Sequence, residues 1–285
     1  MRNYGLKAMQ KPGWSLDRRD PQFIENFQPV WAWLYEHYFR VQTQGWEQIP
    51  AGQIMLVGSH NGGLSTPDMF MMIYDWVRRF GADRLVYGLM HPKVWQACPF
   101  VASLAERAGA IAAHPKTALA ALERGASILV YPGGAQDVFR PFYQRDQVHL
   151  GDRKGFVKIA IQRQIPIVPV VSWGAHETLL VLADIYPLVE RLHELGMPWL
   201  LGIDPEVFPV YLGLPWGIAF GPLPNIPLPR PIATHVGAPI YFERYGVEAA
   251  RDRTYVDACY RQVHHKMQHD LNHLIAKDID GLCLS

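Results

Sequence analysis

The sequence places a histidine and a carboxylate on either side of a glycine-rich turn, in MLVGSHNGGLSTPDMFMM (residues 55–72). His60 follows a short apolar run, and Asp68 stands just after Pro67, where a helix is predicted to begin. If the turn folds back, Asp68 can bind one ring nitrogen of His60 and leave the other as a general base. Two structural alternatives remain open: His60 fills space in a tight turn, or Asp68 is there because a helix N-terminus favours a carboxylate.

A second candidate site is the glycine pair Gly133-Gly134, in LVYPGGAQDVFRPF (129–142). Two glycines directly after a strand allow backbone N–H groups to approach a ligand and to stabilise an oxyanion. An ordinary glycine turn would have the same sequence.

Arg153 and Lys154 form the third candidate site, at the predicted start of a helix. The dipole at a helix N-terminus disfavours cations, so a phosphate-bearing ligand would explain why they are there. A solvated pair of surface cations is the alternative.

The elements that must position these residues alternate between strand and helix. Strands are predicted at 54–58, 85–89, 109–113, 127–132, 165–174, 217–221 and 233–242. Helices are predicted at 69–80, at 94–108 as one or two, and at 115–124, 153–164 and 249–277. This order predicts an α/β protein with a single mixed, mostly parallel sheet covered by helices on both faces. His60 would then lie at the carboxyl end of a strand, where ligands bind in such sheets.

An N-terminal amphipathic helix is predicted to begin at Asp20-Pro21, with Asp20 as its N-cap. Pro29 is predicted to break or kink this helix. Its apolar residues recur at helical spacing and are Phe23, Phe27, Trp31, Leu34 and Tyr38. This stripe either packs into the core or lies on lipid.

Bulk composition excludes several classes of protein. The chain has 285 residues and a net charge of +1, so nucleic-acid binding is not expected. Three separated cysteines indicate a reducing compartment, with neither a disulfide framework nor a metal site; they are Cys98, Cys259 and Cys283. No secretory signal is recognisable, and no run of about 18 apolar residues predicts a spanning helix. Two apolar segments, 23–41 and 196–232, leave attachment to a membrane surface open.

Four blocks in this order resemble the glycerolipid acyltransferase superfamily, and more narrowly its diacylglycerol-acyltransferase-2-like branch with bacterial and plastid relatives. GSHNGGLSTPD is similar to the His…Asp motif, and YPGGAQD stands where this branch has a Pro-Gly-Gly-Ala block. RKGFVKIAIQRQIPIVPVVSWG is similar to the Arg-Lys-Gly-Phe segment, and THVGAPI to the late Gly-x-Pro-Ile block. The resemblance covers roughly residues 50–245 and implies a glycerol-3-phosphate acyltransferase-like (PlsC-like) fold.

The resemblance implies transfer of a fatty acyl group from acyl-CoA or acyl carrier protein to the hydroxyl of a lipid, without a cofactor. His60 would be the general base and Asp68 its orienting acid. The backbone at Gly133 and Gly134 would bind the oxyanion of the intermediate. The phosphates of the donor would meet the cations at 153–154.

Departures from the superfamily pattern bear on the acceptor. The usual motif is H-x4-D, and Ser65 stands at that spacing, so Asp68 needs a longer turn; Ser65 as the orienting group is the minor alternative. Gly133 replaces the Glu of the second motif, and 112–114 reads Ala-Ala-His where an acceptor-binding Arg is usual. These losses favour a neutral acceptor, such as diacylglycerol or a long-chain isoprenoid alcohol, over glycerol phosphate or lysophosphatidate.

Three other functions are compatible with parts of the pattern. They are an acylglycerol-phosphate or lysophospholipid acyltransferase, a lipid hydrolase that uses Ser59 or Ser65, and a non-catalytic lipid-binding protein. The expected organisation is an N-terminal helical segment at 1–48, for which membrane contact and core packing are both open, an acyltransferase domain at 49–248, and a C-terminal helix at 249–285 packed on it. The expected location is cytoplasmic and peripheral on a membrane.

Overall fold

The computed structural model describes residues 11–199, 202 and 204–282. The ends of the predicted segments 1–48 and 249–285 therefore lie outside the described residues, and so does Cys283. Three residues of the apolar segment 196–232 are outside them as well, namely Leu200, Leu201 and Ile203.

Within the described residues, the strands form two sheets. They are β1 (Gln42–Gln44), β2 (Met55–Gly58), β3 (Val86–Met90), β4 (Ala110–Ala112), β5 (Ser127–Val130), β6 (Ile167–Trp173), β7 (Leu180–Asp184), β8 (Pro209–Gly213), β9 (Gly217–Phe220) and β10 (Ala233–Val236). The larger sheet has the order β1-β10-β6-β2-β5-β3-β4, and the smaller has the order β7-β8-β9. In the larger sheet β6, β2, β5, β3 and β4 are parallel, and β10 is antiparallel to β6. The predicted α/β class with a mixed, mostly parallel sheet is confirmed.

Helices cover both faces of the larger sheet. They are α1 (Pro21–Trp33), α2 (Pro67–Phe80), α3 (Pro92–Ala97), α4 (Pro99–Arg107), α5 (Pro115–Glu123), α6 (Gly134–Val138), α7 (Gly155–Arg163), α8 (Tyr186–Glu194), α9 (Val247–Arg251) and α10 (Arg253–Leu282). Side chains of the central strand β2 alternate between two core clusters: Met55 and Val57 belong to one, and Leu56 belongs to the other. A strand that is buried on both faces must be apolar throughout, which is why 54–58 is uniformly apolar.

The N-terminal helix α1 packs into the core. The Asp20 carboxylate accepts the N–H of Phe23 at 3.0 Å, as expected of an N-cap. Phe23 and Trp31 are buried, so the apolar stripe faces protein, whereas Val30 and Trp33 are exposed on the other side. The helix continues through Pro29 to Trp33 and then into a π-helical turn, Leu34–Tyr38, so the predicted break at Pro29 is wrong.

Strand β1 lies within the segment 1–48 and pairs in parallel with β10. This pairing joins the N-terminal segment to the larger sheet. At the other end of the chain, the predicted helix 249–277 is two helices. Asp252 separates them, and its carboxylate accepts the N–H of Tyr255 at 3.1 Å. The long helix α10 buries Val263, Met267 and Leu271 in the core.

The smaller sheet was not predicted, although 217–221 was predicted as a strand. Both faces of its strands are apolar, so they lack the alternation that identifies a half-exposed strand. A register shift between Val181 and Ala183 interrupts β7 further. Within the described residues, no helix is both long enough and apolar enough to cross a membrane.

Candidate active site

His60 and Asp68 lie side by side at the carboxyl end of β2. The His60 Nδ1 atom is 3.3 Å from both carboxylate oxygens of Asp68. Asp68 is buried and also accepts the backbone N–H groups of Asn61 and Met69, both at 2.8 Å. These three donors fix the carboxylate. With Nδ1 facing Asp68, Nε2 of His60 is the nitrogen that can take a proton from a ligand.

The turn between the two residues needs left-handed backbone. Gly62 and Gly63 have φ of +85° and +69°, and Thr66 adopts φ of +41° just before α2 begins. A Cβ at Gly62 would lie 2.6 Å from Thr178 Oγ1, and one at Gly63 would lie 2.6 Å from Asn225 Oδ1. The longer H-x7-D spacing thus delivers the carboxylate to the histidine, in a turn that only glycine fits.

The two serines that a hydrolase would need are engaged elsewhere. The Ser59 hydroxyl lies 3.4 Å from Asp137 Oδ2, and the Ser65 hydroxyl donates to the backbone oxygen of Asn225. The same contact turns Ser65 away from the role of orienting group. In the part of the chain that the structure describes, neither serine is hydrogen-bonded to His60.

A buried ion pair that the sequence patterns did not indicate binds the backbone of His60. The Asp137 carboxylate accepts the backbone N–H of His60 and binds Arg140 Nη1 at 2.7 Å. Arg140 also donates to the His60 carbonyl at 2.8 Å and to Asn61 Oδ1 at 2.6 Å. The sequence feature that could have indicated this ion pair is Asp137 itself, the last residue of YPGGAQD, which lies one helical turn after Gly133.

Burial shifts the pKa of two groups in this network. Burial raises the pKa of Asp137 to about 6, although Arg140 and the His60 N–H oppose the shift. Burial lowers the pKa of His176 to about 4, and the charge of Arg140 lowers it further. His176 is therefore neutral at pH 7, and its Nε2–H donates to the Arg140 carbonyl at 2.9 Å.

The glycine pair lies beside the histidine at the carboxyl end of β5. The Tyr131 ring stacks on the His60 ring with centroids 4.4 Å apart, and Gly133 and Gly134 follow two residues later. A Cβ at Gly133 would lie 2.1 Å from the carbonyl oxygen of His149, so a glycine is required there. The Gly134 N–H donates to the Tyr131 carbonyl at 3.3 Å, so this donor is already engaged within the protein.

The two cations of the third candidate site point to different partners. Arg153 Nη1 donates to the Pro132 carbonyl at 2.9 Å, and its Nη2 is 3.3 Å from Glu206 Oε2. Lys154 instead pairs with Asp257 of α10 at 2.8 Å. The structure thus brings Arg153 to the glycine pair but does not bring Lys154 there.

Comparisons with known proteins agree with the resemblance read from the four blocks. A family model described as diacylglycerol acyltransferase matches residues 13–277. An uncharacterised protein of Mycobacterium leprae is 28% identical over 258 residues, which are 90% of this chain and 66% of that protein. Diacylglycerol O-acyltransferase 1 of Saccharomyces cerevisiae is 33% identical over 130 residues, which are 45% of this chain and 30% of the yeast protein. The chain thus spans slightly less than two thirds of the first relative and under a third of the second.

A solved structure supports the fold alone. The 1-acyl-sn-glycerophosphate (LPA) acyltransferase PlsC of Thermotoga maritima superposes with a TM-score of 0.50 at 14% sequence identity. The superposition covers 97% of this chain and 84% of that protein. Because the family model matches most of its length, this chain belongs to the diacylglycerol acyltransferase family, a family of acyltransferases.

Proposed function

We propose that the protein is an O-acyltransferase that moves a fatty acyl group from acyl-CoA or acyl carrier protein to the hydroxyl of a lipid alcohol. The observation that carries the proposal is the contact of His60 Nδ1 with the buried Asp68 carboxylate, at 3.3 Å from both oxygens. This contact holds the ring with Nε2 available as a base, at the end of the sheet where ligands bind.

In the proposed reaction, Nε2 of His60 takes the hydroxyl proton while the oxygen attacks the thioester carbonyl. Asp68 stabilises the imidazolium that forms, and the Gly133 N–H donates to the oxyanion. Collapse of the intermediate breaks the carbon–sulfur bond, and the thiolate that leaves takes the proton back from His60. A thiolate is a good leaving group, so no acyl-enzyme is needed.

A neutral alcohol, such as diacylglycerol or a long-chain isoprenoid alcohol, is the proposed acceptor. The chain has Gly133 in place of the acid of the second motif, and 112–114 supplies no arginine. An acylglycerol-phosphate or lysophospholipid acyltransferase is the alternative of the same chemistry. The intact pair of His60 and Asp68 argues against a non-catalytic lipid-binding protein.

Peripheral attachment to a membrane is part of the proposal, and the outer face of the smaller sheet supports it. The outward positions of β8 and β9 carry Leu212, Ile218 and Phe220, each roughly half exposed or more. One face of an antiparallel sheet is usually polar when it meets water. An open cavity of about 430 Å³ lies on this face, with Leu180, Leu212 and Leu228 in its wall.

The segment that contains β8 and β9 carries little charge, which is favourable for contact with lipid. Arg230 is the one charged residue between Glu206 and Glu243, if histidine is counted as neutral. Trp216, at the tip of the β8–β9 hairpin, is exposed and carries an amphipathic ring of the kind enriched at bilayer interfaces. The loop that follows β9 contacts the His60 turn through Asn225. A lipid that enters on this face would therefore arrive next to the proposed base.

Sedimentation with lipid vesicles tests the membrane surface. The double variant Ile218→Asp/Phe220→Asp should lose most binding to vesicles of phosphatidylcholine and phosphatidylglycerol. Val247→Asp, at an exposed apolar residue of α9, is the matched control and should bind like the parent protein. Equal binding by all three proteins would contradict this surface.

Product identification tests the activity. Purified protein is incubated with labelled acyl-CoA and, in separate reactions, with diacylglycerol, a long-chain isoprenoid alcohol, glycerol 3-phosphate and lysophosphatidate. We expect a neutral ester, and at least a ~1,000-fold loss of it in His60→Ala. His273→Ala, at an exposed histidine of α10, should retain activity. Retained turnover in His60→Ala would refute the mechanism, and a product from only the phosphate-bearing acceptors would refute the acceptor.

A further inference from the structure

A group of basic side chains beside the candidate active site converges on one carboxylate, Glu206. Lys93 Nζ lies 2.7 Å from Glu206 Oε1, and Arg153 Nη2 lies 3.3 Å from Glu206 Oε2. His91 Nε2 is 3.7 Å from Oε1. The two oxygens of a single carboxylate thus bridge two cations that come from distant parts of the chain.

These cations lie along the same row of strand ends as His60. His60 follows β2, Arg153 is anchored to the Pro132 carbonyl just after β5, and Lys93 follows β3. Since β2, β5 and β3 are adjacent and parallel, the three positions fall within about 10 Å along the edge of the sheet. A Cβ at Gly134 would lie 2.5 Å from Arg153 Nη1, so the guanidinium packs directly on the glycine pair.

The backbone conformation of Glu206 indicates that the surrounding structure holds its carboxylate against Lys93 and Arg153. Glu206 has φ of +64°, in the left-handed region that a side chain with a Cβ rarely adopts. Two hydrogen bonds hold the segment in place. The Glu206 N–H donates to Asp204 Oδ1 at 2.9 Å, and Lys93 Nζ donates to the Asp204 carbonyl at 2.6 Å. The hydrogen bonds at Asp204 and Glu206 therefore hold the carboxylate towards the cations, in the segment 204–206.

Electrostatics keeps this carboxylate ionised. Burial opposes its charge, but the hydrogen bond and charge of Lys93, with His91 and Arg153, hold the pKa of Glu206 below its usual value. Burial lowers the pKa of His91, although the charge of Glu206 opposes this shift. Lys93 and Arg153 together carry two positive charges, of which Glu206 neutralises one.

We propose that Glu206 occupies, from within the chain, a site for the phosphate of an anionic lipid acceptor, and so restricts the enzyme to neutral acceptors. A carboxylate that bridges two cations stands in for two oxygens of a phosphate monoester. A phosphate that approached Lys93 and Arg153 would have to displace it or meet its negative charge. The inference rests on the proposed function, and it changes the explanation of acceptor choice: cations are present, but one carboxylate blocks them.

The test exchanges this carboxylate for its neutral amide. In Glu206→Gln, the ratio of kcat/KM for lysophosphatidate to kcat/KM for diacylglycerol should rise about tenfold or more, because one repulsive charge is removed within a few ångströms of the phosphate. The double variant Glu206→Gln/Lys93→Met should lose that gain. Glu248→Gln, at an exposed glutamate of α9, is the matched control and should leave the ratio unchanged.

Two outcomes would overturn the proposal. One is an unchanged ratio in a folded Glu206→Gln protein, with folding checked by its melting temperature. The other is a fall in the KM for acyl-CoA without a change in acceptor preference, which would assign the cations to the donor.

A binding measurement separates failure of this inference from failure of the proposed function. Calorimetry with glycerol 3-phosphate needs no turnover, and it should show about tenfold tighter binding to Glu206→Gln than to the parent protein. Equal affinities would refute the blocked site even if ester synthesis is confirmed. Tighter binding would support the blocked site even if the parent protein forms no ester.

Discussion

The two sheets differ in what covers their outer faces. In the larger sheet, helices cover both faces, and strands such as β6 are buried along almost their whole length. In the smaller sheet, the inner face packs on α6 through Val138 and Phe139, while the outer face is exposed although it is equally apolar. The larger sheet thus carries His60 and the polar residues around it, whereas the smaller sheet presents an exposed apolar face.

Two short segments join the sheets at the candidate site. Helix α6 packs on the smaller sheet and also carries Asp137, which binds the backbone of His60. The segment His176–Thr178 links β6 to β7, and its His176 donates to the carbonyl of Arg140. The geometry of His60 therefore depends on both sheets.

The largest expected effect is on the free energy of unfolding, when an apolar residue is replaced by aspartate in each of the two sheets. Val168→Asp would bury an unpaired charge in β6, at a position with no exposure, and should cost about 4 kcal/mol or more of unfolding free energy. Ile218→Asp in β9, at 64% exposure, should cost less than about 1 kcal/mol. Urea denaturation followed by circular dichroism measures both. A loss of several kcal/mol in Ile218→Asp would mean that the outer face packs against protein.

The next largest effect is a loss of folding stability in acid, and it arises from His176, in the segment that links the two sheets. The pKa of His176 is about 4 in the folded protein and 6.5 when unfolded, so only the unfolded state takes up a proton between these values. The stabilising contribution of neutral His176 is present above pH 6.5 and is lost as pH falls towards 4. The full loss is about 3 kcal/mol.

Substitution isolates that contribution. Asp137 acts in the opposite sense, because its folded pKa of about 6 favours the folded state as pH falls from 6 to 4. The measurement is therefore the difference between the parent protein and His176→Gln in unfolding free energy at pH 7.5 and at pH 4.5. We expect a smaller acid loss in the variant, and equal losses would contradict a buried neutral His176.

Asp137→Asn tests whether the ion pair positions the histidine. The amide oxygen of the variant can still accept the His60 N–H. The negative charge is lost, however, so the buried guanidinium of Arg140 no longer has its carboxylate partner. We expect kcat to fall roughly 10- to 100-fold with KM nearly unchanged, because the base is misplaced while the binding surfaces remain. Asp257→Asn, which breaks the exposed pair with Lys154, is the matched control. An equal loss in both variants would argue for a general effect on stability.

Sequence patterns predicted the larger sheet well and the smaller one poorly, for a physical reason. Buried parallel strands are short, uniformly apolar runs followed by turn residues, and 54–58 and 127–132 have that form. The outward residues of β7 and β8 are apolar like the inward ones, so their pattern does not distinguish these strands from core or loop. Prolines in the region obscure them further.

The same contrast holds for the site. His60 and Asp68 are close in sequence, and the predicted fold-back of the turn agrees with their contact in the structure. Their catalytic roles stay a prediction. Asp137 contacts His60, about 80 residues away in the sequence, and Glu206 contacts Lys93, about 110 residues away. No local sequence pattern encodes such contacts. Arg153 and Lys154 are neighbours in sequence, but Arg153 contacts the Pro132 carbonyl and Glu206, whereas Lys154 contacts Asp257; their binding of donor phosphates stays a prediction.

The smallest effect should come from the side-chain contact between the loop after β9 and the His60 turn. Asn225 Nδ2 donates to the Gly62 carbonyl at 3.3 Å, a long hydrogen bond, while its Oδ1 is buried without a partner among the described residues. Asn225→Ala removes the weak bond and the unpaired oxygen together, so the two effects nearly cancel. We expect a melting temperature within about 2 °C of the parent protein and a kcat lowered less than about fivefold. The Ser65 hydroxyl would still bind the backbone oxygen of residue 225, which keeps the loop in contact with the turn. A loss of kcat as large as that of Asp137→Asn would show that the smaller sheet controls the histidine through this loop as strongly as through α6.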